Sequence, residues 1–141
     1  MKVVMPSTAG QPVPQALHSD PADPALAGPA LRAFFQIADL WDLSTAQQRV
    51  LLGSPPQSTY FKWKKLQEGA VPRDALERIS YLLGIYKALQ ILLPDPQRAD
   101  RWISEPNTAP LFGGRTALER MLGGNVSDLY VVRQYLDAQR G

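Results

Sequence analysis

The run Gln57-Ser58-Thr59-Tyr60-Phe61-Lys62-Trp63-Lys64-Lys65-Leu66-Gln67 gathers the side chains with the clearest chemical use in this sequence. Gln57, Ser58 and Thr59 are short or amide side chains able to hydrogen-bond base edges or phosphates. Lys62, Lys64 and Lys65 follow as cations suited to flank a phosphate backbone. Tyr60, Trp63 and Leu66 recur at helical spacing and are expected to face a core. Together they outline a DNA-binding helix. Three lysines on a helix also describe a solvated face, and these residues alone do not decide between the two.

Little else in the sequence offers reactive chemistry. It contains no cysteine, which leaves no thiolate metal site, no disulfide and no thiol nucleophile. The single histidine, His18, lies among prolines, so there is no His cluster for a metal and no His-based triad. Glu77, Glu119, Asp128 and Asp137 are spread over stretches rich in Lys and Arg, and read as solvated helix charges rather than a catalytic pair. No catalytic residue is nominated, no metal or cofactor is expected, and the chain is expected not to be an enzyme. The formal net charge is only +2, so any contact with nucleic acid must come from local charge rather than the field of the whole molecule. Met1 to Pro6 is not followed by an apolar run, and Tyr81 to Leu93 is short and interrupted by Lys87 and Gln90. Neither a signal peptide nor a bilayer span is read from these, and a cytoplasmic location is expected.

The elements that would position the basic run are helical throughout. Residues 1–24, with Pro6, Pro12, Pro14, Pro21 and Pro24, read as a flexible proline-rich leader. From Ala25 onward Leu31, Phe34, Phe35, Ala38 and Trp41 share one side of a helix. Ser44 is a good N-cap for a second helix, Thr45–Leu52, with Gly53 at its C-terminal cap. Ser54-Pro55-Pro56 separates it from the basic helix Gln57–Gln67, which gives a helix-turn-helix outline. Pro72 suits the first turn of the longest helix, running to about Leu92. Its apolar residues (Leu76, Ile79, Leu82, Leu83, Ile85, Tyr86, Leu89, Leu92) wrap most of the circumference, so it is expected at the centre. Pro94 and Pro96 stop it. A short helix from Gln97 to Ile103, anchored by a buried Trp102, a loop from Pro106 to Gly114 and a short helix from Thr116 to Leu122 follow. Gly113-Gly114 reads as a tight turn, and Asn107 as a residue that caps the loop through its side chain. Asn125 caps a last helix carrying Val126, Leu129, Val132, Arg133 and Leu136. No stretch alternates as a strand would. The fold is expected to be all-α, with residues 25–70 forming a helix-turn-helix domain and residues 71–141 a second helical lobe.

Thr59-Tyr60-Phe61-Lys62-Trp63, then Arg78, Ile85-Tyr86 and Leu89, Trp102, Pro106-Asn107, Leu111-Phe112-Gly113-Gly114-Arg115-Thr116, Ala117 to Leu122 and Tyr135-Leu136 occur in an order that resembles the Xre/MbcA/ParS antitoxins of RES-domain toxin–antitoxin systems. The resemblance covers about Leu31 to the last residue, and Pro-Asn followed by Gly-Gly-Arg-Thr is its most specific part. It implies a repressor-like first half that binds operator DNA and a second half that binds a RES-domain, NAD-consuming toxin. It further implies that the C-terminal segment occludes the toxin's active site, that the complex represses its own operon, and that the protein is a homodimer within a hetero-oligomer. On this sequence the toxin-binding candidates are Arg133, Tyr135, Leu136, Gln139, Arg140 and Gly141, with Leu136 either an anchor or a core residue. Arginine heads suit a cleft made for a pyrophosphate. Removal of the residues after Tyr135 is expected to release the toxin. The alternative is a stand-alone helix-turn-helix transcription regulator whose second half only dimerises.

Overall fold

The computed structural model describes residues 24–141, and the expected leader falls outside this range apart from Pro24. The described chain is all helical: α1 Pro24–Leu40, α2 Thr45–Leu51, α3 Gln57–Leu66, α4 Arg73–Leu92, α5 Pro96–Arg101, a 3-10 turn Trp102–Ser104, α6 Ala117–Met121 and α7 Val126–Arg140. An isolated antiparallel bridge pairs Pro106 with Thr116. No described helix is long and apolar enough to cross a membrane.

α4 is the central element, packing against α1, α5 and α7. Leu31, Phe34, Phe35 and Ala38 of α1 and Trp41 just after it are all buried as their spacing predicts, and Trp41 packs against Tyr86 of α4. From α7 the central helix meets the strip Leu129, Val132 and Leu136, each at most 1% exposed. Gly84 of α4 lies beneath Arg133 of α7, where an added Cβ would come 2.5 Å from the guanidinium.

Local chemistry sets the helix ends. Ser44 accepts the Gln47 amide and the Gln47 side chain returns to the Ser44 amide, closing a capping box on α2. Thr116 and Glu119 do the same for α6. The Asp128 carboxylate accepts the Asn125 amide at 3.0 Å at the start of α7. Pro72 is the N-cap of α4 rather than part of its first turn. Pro96, expected to end α4, instead opens α5, whose amide at Gln97 is capped by Asp95. Pro29 lies inside α1, where it was not anticipated.

Candidate functional site

The helix-turn-helix outline is present as α2, a five-residue turn and α3. Gly53 (φ 92°) and Ser54 (φ 58°) turn the chain left-handed after α2. The Arg49 guanidinium fastens the turn by donating to the Pro55 carbonyl at 2.8 Å and 3.3 Å. A buried polar relay locks the two helices together. The Tyr60 hydroxyl of α3 donates to Gln48 Oε1 of α2 at 2.6 Å, and Gln48 Nε2 donates to the Leu43 carbonyl at 2.9 Å. Every polar atom of this relay is satisfied, which fixes one angle between α2 and α3. Burial holds the Tyr60 phenol above its ordinary pKa of 10.0, so it remains a donor at any physiological pH.

The DNA-facing candidates do not all point the same way. Tyr60 and Trp63 are buried and fix the inner face of α3. Ser58, Lys62 and Lys65 lie on the opposite, exposed face with Phe61 beside them. Gln57 and Lys64 are exposed along its edge. Thr59 is half-buried and turns with Trp63, Pro55 and Pro56 into a cleft of about 270 Å³ beside the turn, which makes it the least available of the six. Leu66, expected in the core, is 49% exposed, because the chain leaves the core at the left-handed Gln67 (φ 52°) one residue later. Lys62, Lys64 and Lys65 form no ion pair among the described residues, and α3 itself carries no acid to neutralise them.

At the other end of the molecule the expected toxin-binding residues separate into two groups flanking the buried strip of α7. On one flank Arg133 lies across Gly84, and Asp137 lies between Arg133 at 3.6 Å and Arg140 at 3.8 Å. On the other flank Tyr135 stacks on Trp102, centroids 6.4 Å apart and planes 21° apart, and meets the edge of Phe112. Tyr135 and Gln139 line an open, mainly apolar cleft of about 260 Å³ with Leu89, Leu92, Leu93 and Trp102. Trp102 is therefore half-buried at the rim of a cleft rather than the fully buried anchor expected of it. Leu136 is 1% exposed and belongs to the core, because it continues the strip Leu129–Val132. Only its edge reaches the floor of that cleft, and a truncation after Tyr135 would remove a core residue. Gln139, Arg140 and Gly141 are exposed.

The loop before α6 is built as a tight turn, with Gly113 and Gly114 at φ 59° and 89°. Asn107 organises it, accepting the Ala109 amide through its side chain and the Gly114 amide through its carbonyl. Arg78 is a structural residue, 8% exposed and bonded to Asp74. Arg115 is exposed and forms no ion pair among the described residues. The acids read as solvated helix charges also have specific partners: Glu119 caps α6, Asp128 caps α7 and pairs with Arg120 at 3.3 Å, and Glu77 accepts from Tyr81.

Two family models match the chain. Residues 20–84 match the antitoxin Xre-like helix-turn-helix domain, and residues 88–141 match the antitoxin Xre/MbcA/ParS C-terminal toxin-binding domain. The chain is also similar to uncharacterized protein y4oB of Sinorhizobium fredii (strain NBRC 101917 / NGR234), 54% identical over 124 residues that span 87% of this chain and 94% of that protein.

Proposed function

This chain belongs to the Xre-type antitoxins, and from that premise we propose that it neutralises a RES-domain, NAD-consuming toxin while repressing its own operon as a homodimer. The observation that carries the toxin half of this reading is the end of α7. Beyond the buried Leu136, residues 137–141 are all exposed, so this segment can enter a partner's cleft without disturbing the core. Arg140 supplies the charge that a pyrophosphate-binding cleft favours. The adjacent cleft lined by Trp102, Tyr135 and Gln139 supplies an apolar surface for a toxin side chain to anchor against. A segment that fills a cleft needs few residues to block it, since any steric overlap excludes the dinucleotide. The operator half is supported by the lysines of α3 and by the rigid mounting of that helix on α2. A homodimer would add a second copy of α3 and multiply a modest half-site affinity.

Co-expression with the protein encoded beside it, followed by purification and an assay of NAD loss, tests the reading. A stable complex with suppressed NAD loss is expected. Deleting residues 137–141 should restore NAD loss while leaving operator binding intact, and replacing Lys62, Lys64 and Lys65 with Ala should have the opposite effect. Equal damage to both activities by both changes would overturn the division of labour. A neighbour equally active alone and in mixture would favour the stand-alone regulator.

A further inference from the structure

Phe61 is a large apolar side chain on the exposed side of α3, 44% exposed and next to Ser58 and Lys65 around the helix. Its position is braced. The Phe61 ring meets Tyr60 edge to face at 5.1 Å and 75°, and Tyr60 is itself fully buried and held by Gln48. An exposed aromatic ring on a mobile mount would collapse onto nearby apolar surface, whereas this one is held away from the core by a neighbour that cannot move.

We propose that Phe61 is a base-reading residue, its ring packed against the 5-methyl groups of thymines in the major groove while Lys62 and Lys65 hold the flanking phosphates. The inference rests on the DNA-binding reading above and deepens it. A phenyl ring neither donates nor accepts a hydrogen bond, so it cannot read the polar edges of guanine, cytosine or adenine. The thymine methyl is the one apolar feature that the major groove presents. Charge selects the occupant. A second copy of this chain docked face to face would bring the lysines of one α3 against those of the other, whereas duplex DNA neutralises them. The lysines supply affinity without sequence information, and Phe61 adds discrimination on the same side of the helix.

The test measures binding of the full chain to the DNA upstream of its own gene, synthesised once with thymine and once with uracil, which removes only the methyl groups. The wild type is expected to lose about fourfold in affinity on the uracil duplex for each methyl it buries, the transfer value of one carbon. Phe61→Ala and Phe61→Gln are expected to bind both duplexes equally, with melting temperatures lowered by only a few degrees through the lost edge contact with Tyr60. Lys62→Ala with Lys65→Ala should weaken both duplexes alike and reduce the salt dependence by about two counterions. Equal wild-type affinity for the two duplexes, or a thymine preference that persists in both Phe61 variants, would overturn the assignment and leave DNA binding standing. Absence of binding to either duplex, with and without the toxin, would remove the DNA-binding reading and this assignment together.

Discussion

The guanidinium of Arg78 donates to the backbone carbonyl of Gly124 across 3.1 Å, joining the helix-turn-helix half of the chain to the turn that opens α7. The same side chain donates to Asp74 at 2.9 Å, and the turn residue Gly53 lies so close that a Cβ there would sit 2.8 Å from Asp74 and 3.1 Å from Arg78. One buried cation thus ties three segments: the turn before α3, the body of α4 and the α6–α7 junction. The two halves share α4 and this bond, so their relative placement is set by the core and not by a linker.

Replacing Arg78 with Met keeps the volume of the stem and removes both charged hydrogen bonds. The loss should be about 1.5–3 kcal/mol, seen as a lower urea midpoint with an unchanged slope. Arg78→Lys should recover part of it, since one ammonium cannot reproduce the planar two-sided contact. An Arg78→Met variant as stable as the wild type would show that the bond to Gly124 contributes nothing.

The Gln48–Tyr60 pair predicts both a stability change and its pH dependence. Gln48→Leu strands the Leu43 carbonyl and leaves the Tyr60 hydroxyl only Thr45 as a partner, at a cost of about 1–3 kcal/mol. It should also weaken DNA binding more than toxin binding, because it loosens α3 on α2. Burial raises the pKa of Tyr60 in the folded state above the unfolded value of 10.0, so the unfolded chain ionises first. The stability that follows is complete below pH 10 and declines as the pH climbs from 10 through the raised folded value. Tyr60→Phe should flatten part of that decline and leave the share of Tyr81 and Tyr86, which burial also raises. Urea midpoints between pH 8 and 11 check this, and identical curves for wild type and Tyr60→Phe would refute it.

The elements were legible because their signals are local. Ser44 before Thr45, the apolar spacing of Leu31 to Trp41 and the glycines at 53, 113 and 114 each determine a cap, a face or a turn within a few residues. The capping pairs Thr116–Glu119 and Asn125–Asp128 were equally local, and the Thr-x-x-Glu spacing that marks a capping box was present to be read. Residue type misled where position decided. Leu66 has core chemistry but sits one residue before a left-handed exit. What could not be read was non-local: that Arg133 lies over Gly84, that Tyr135 stacks on Trp102, and that Arg78 reaches Gly124 across 46 positions of sequence.

Gly84→Ala probes the α4–α7 contact. The added methyl meets the flexible end of Arg133 rather than backbone, so the guanidinium can swing away and give up its exposed pairing with Asp137. Such a pair contributes about 0–1 kcal/mol, and alanine improves the helix by about 1 kcal/mol. The two nearly cancel, and the stability change should stay below about 1 kcal/mol. A loss of several kcal/mol would mean that Arg133 is clamped in place. Weaker toxin binding at unchanged stability would show that its position over Gly84 is part of the interface.

Leu136 and the residues after it should separate core from interface. Leu136→Ala opens a cavity beside Leu129, Val132 and Leu89, and should cost about 2–5 kcal/mol. Its effect on the toxin would then follow from an unfolded α7 and would disappear at low temperature, where the helix is restored. Deleting residues 137–141 removes only exposed side chains and two surface ion pairs, so the melting temperature should move by no more than a few degrees. Any loss of toxin inhibition in that variant must come from the missing contact itself. A melting curve and an NAD-loss assay on the two variants suffice. If the deletion proved as destabilising as Leu136→Ala, residues 137–141 would be part of the packed helix and could not be the segment that enters the toxin.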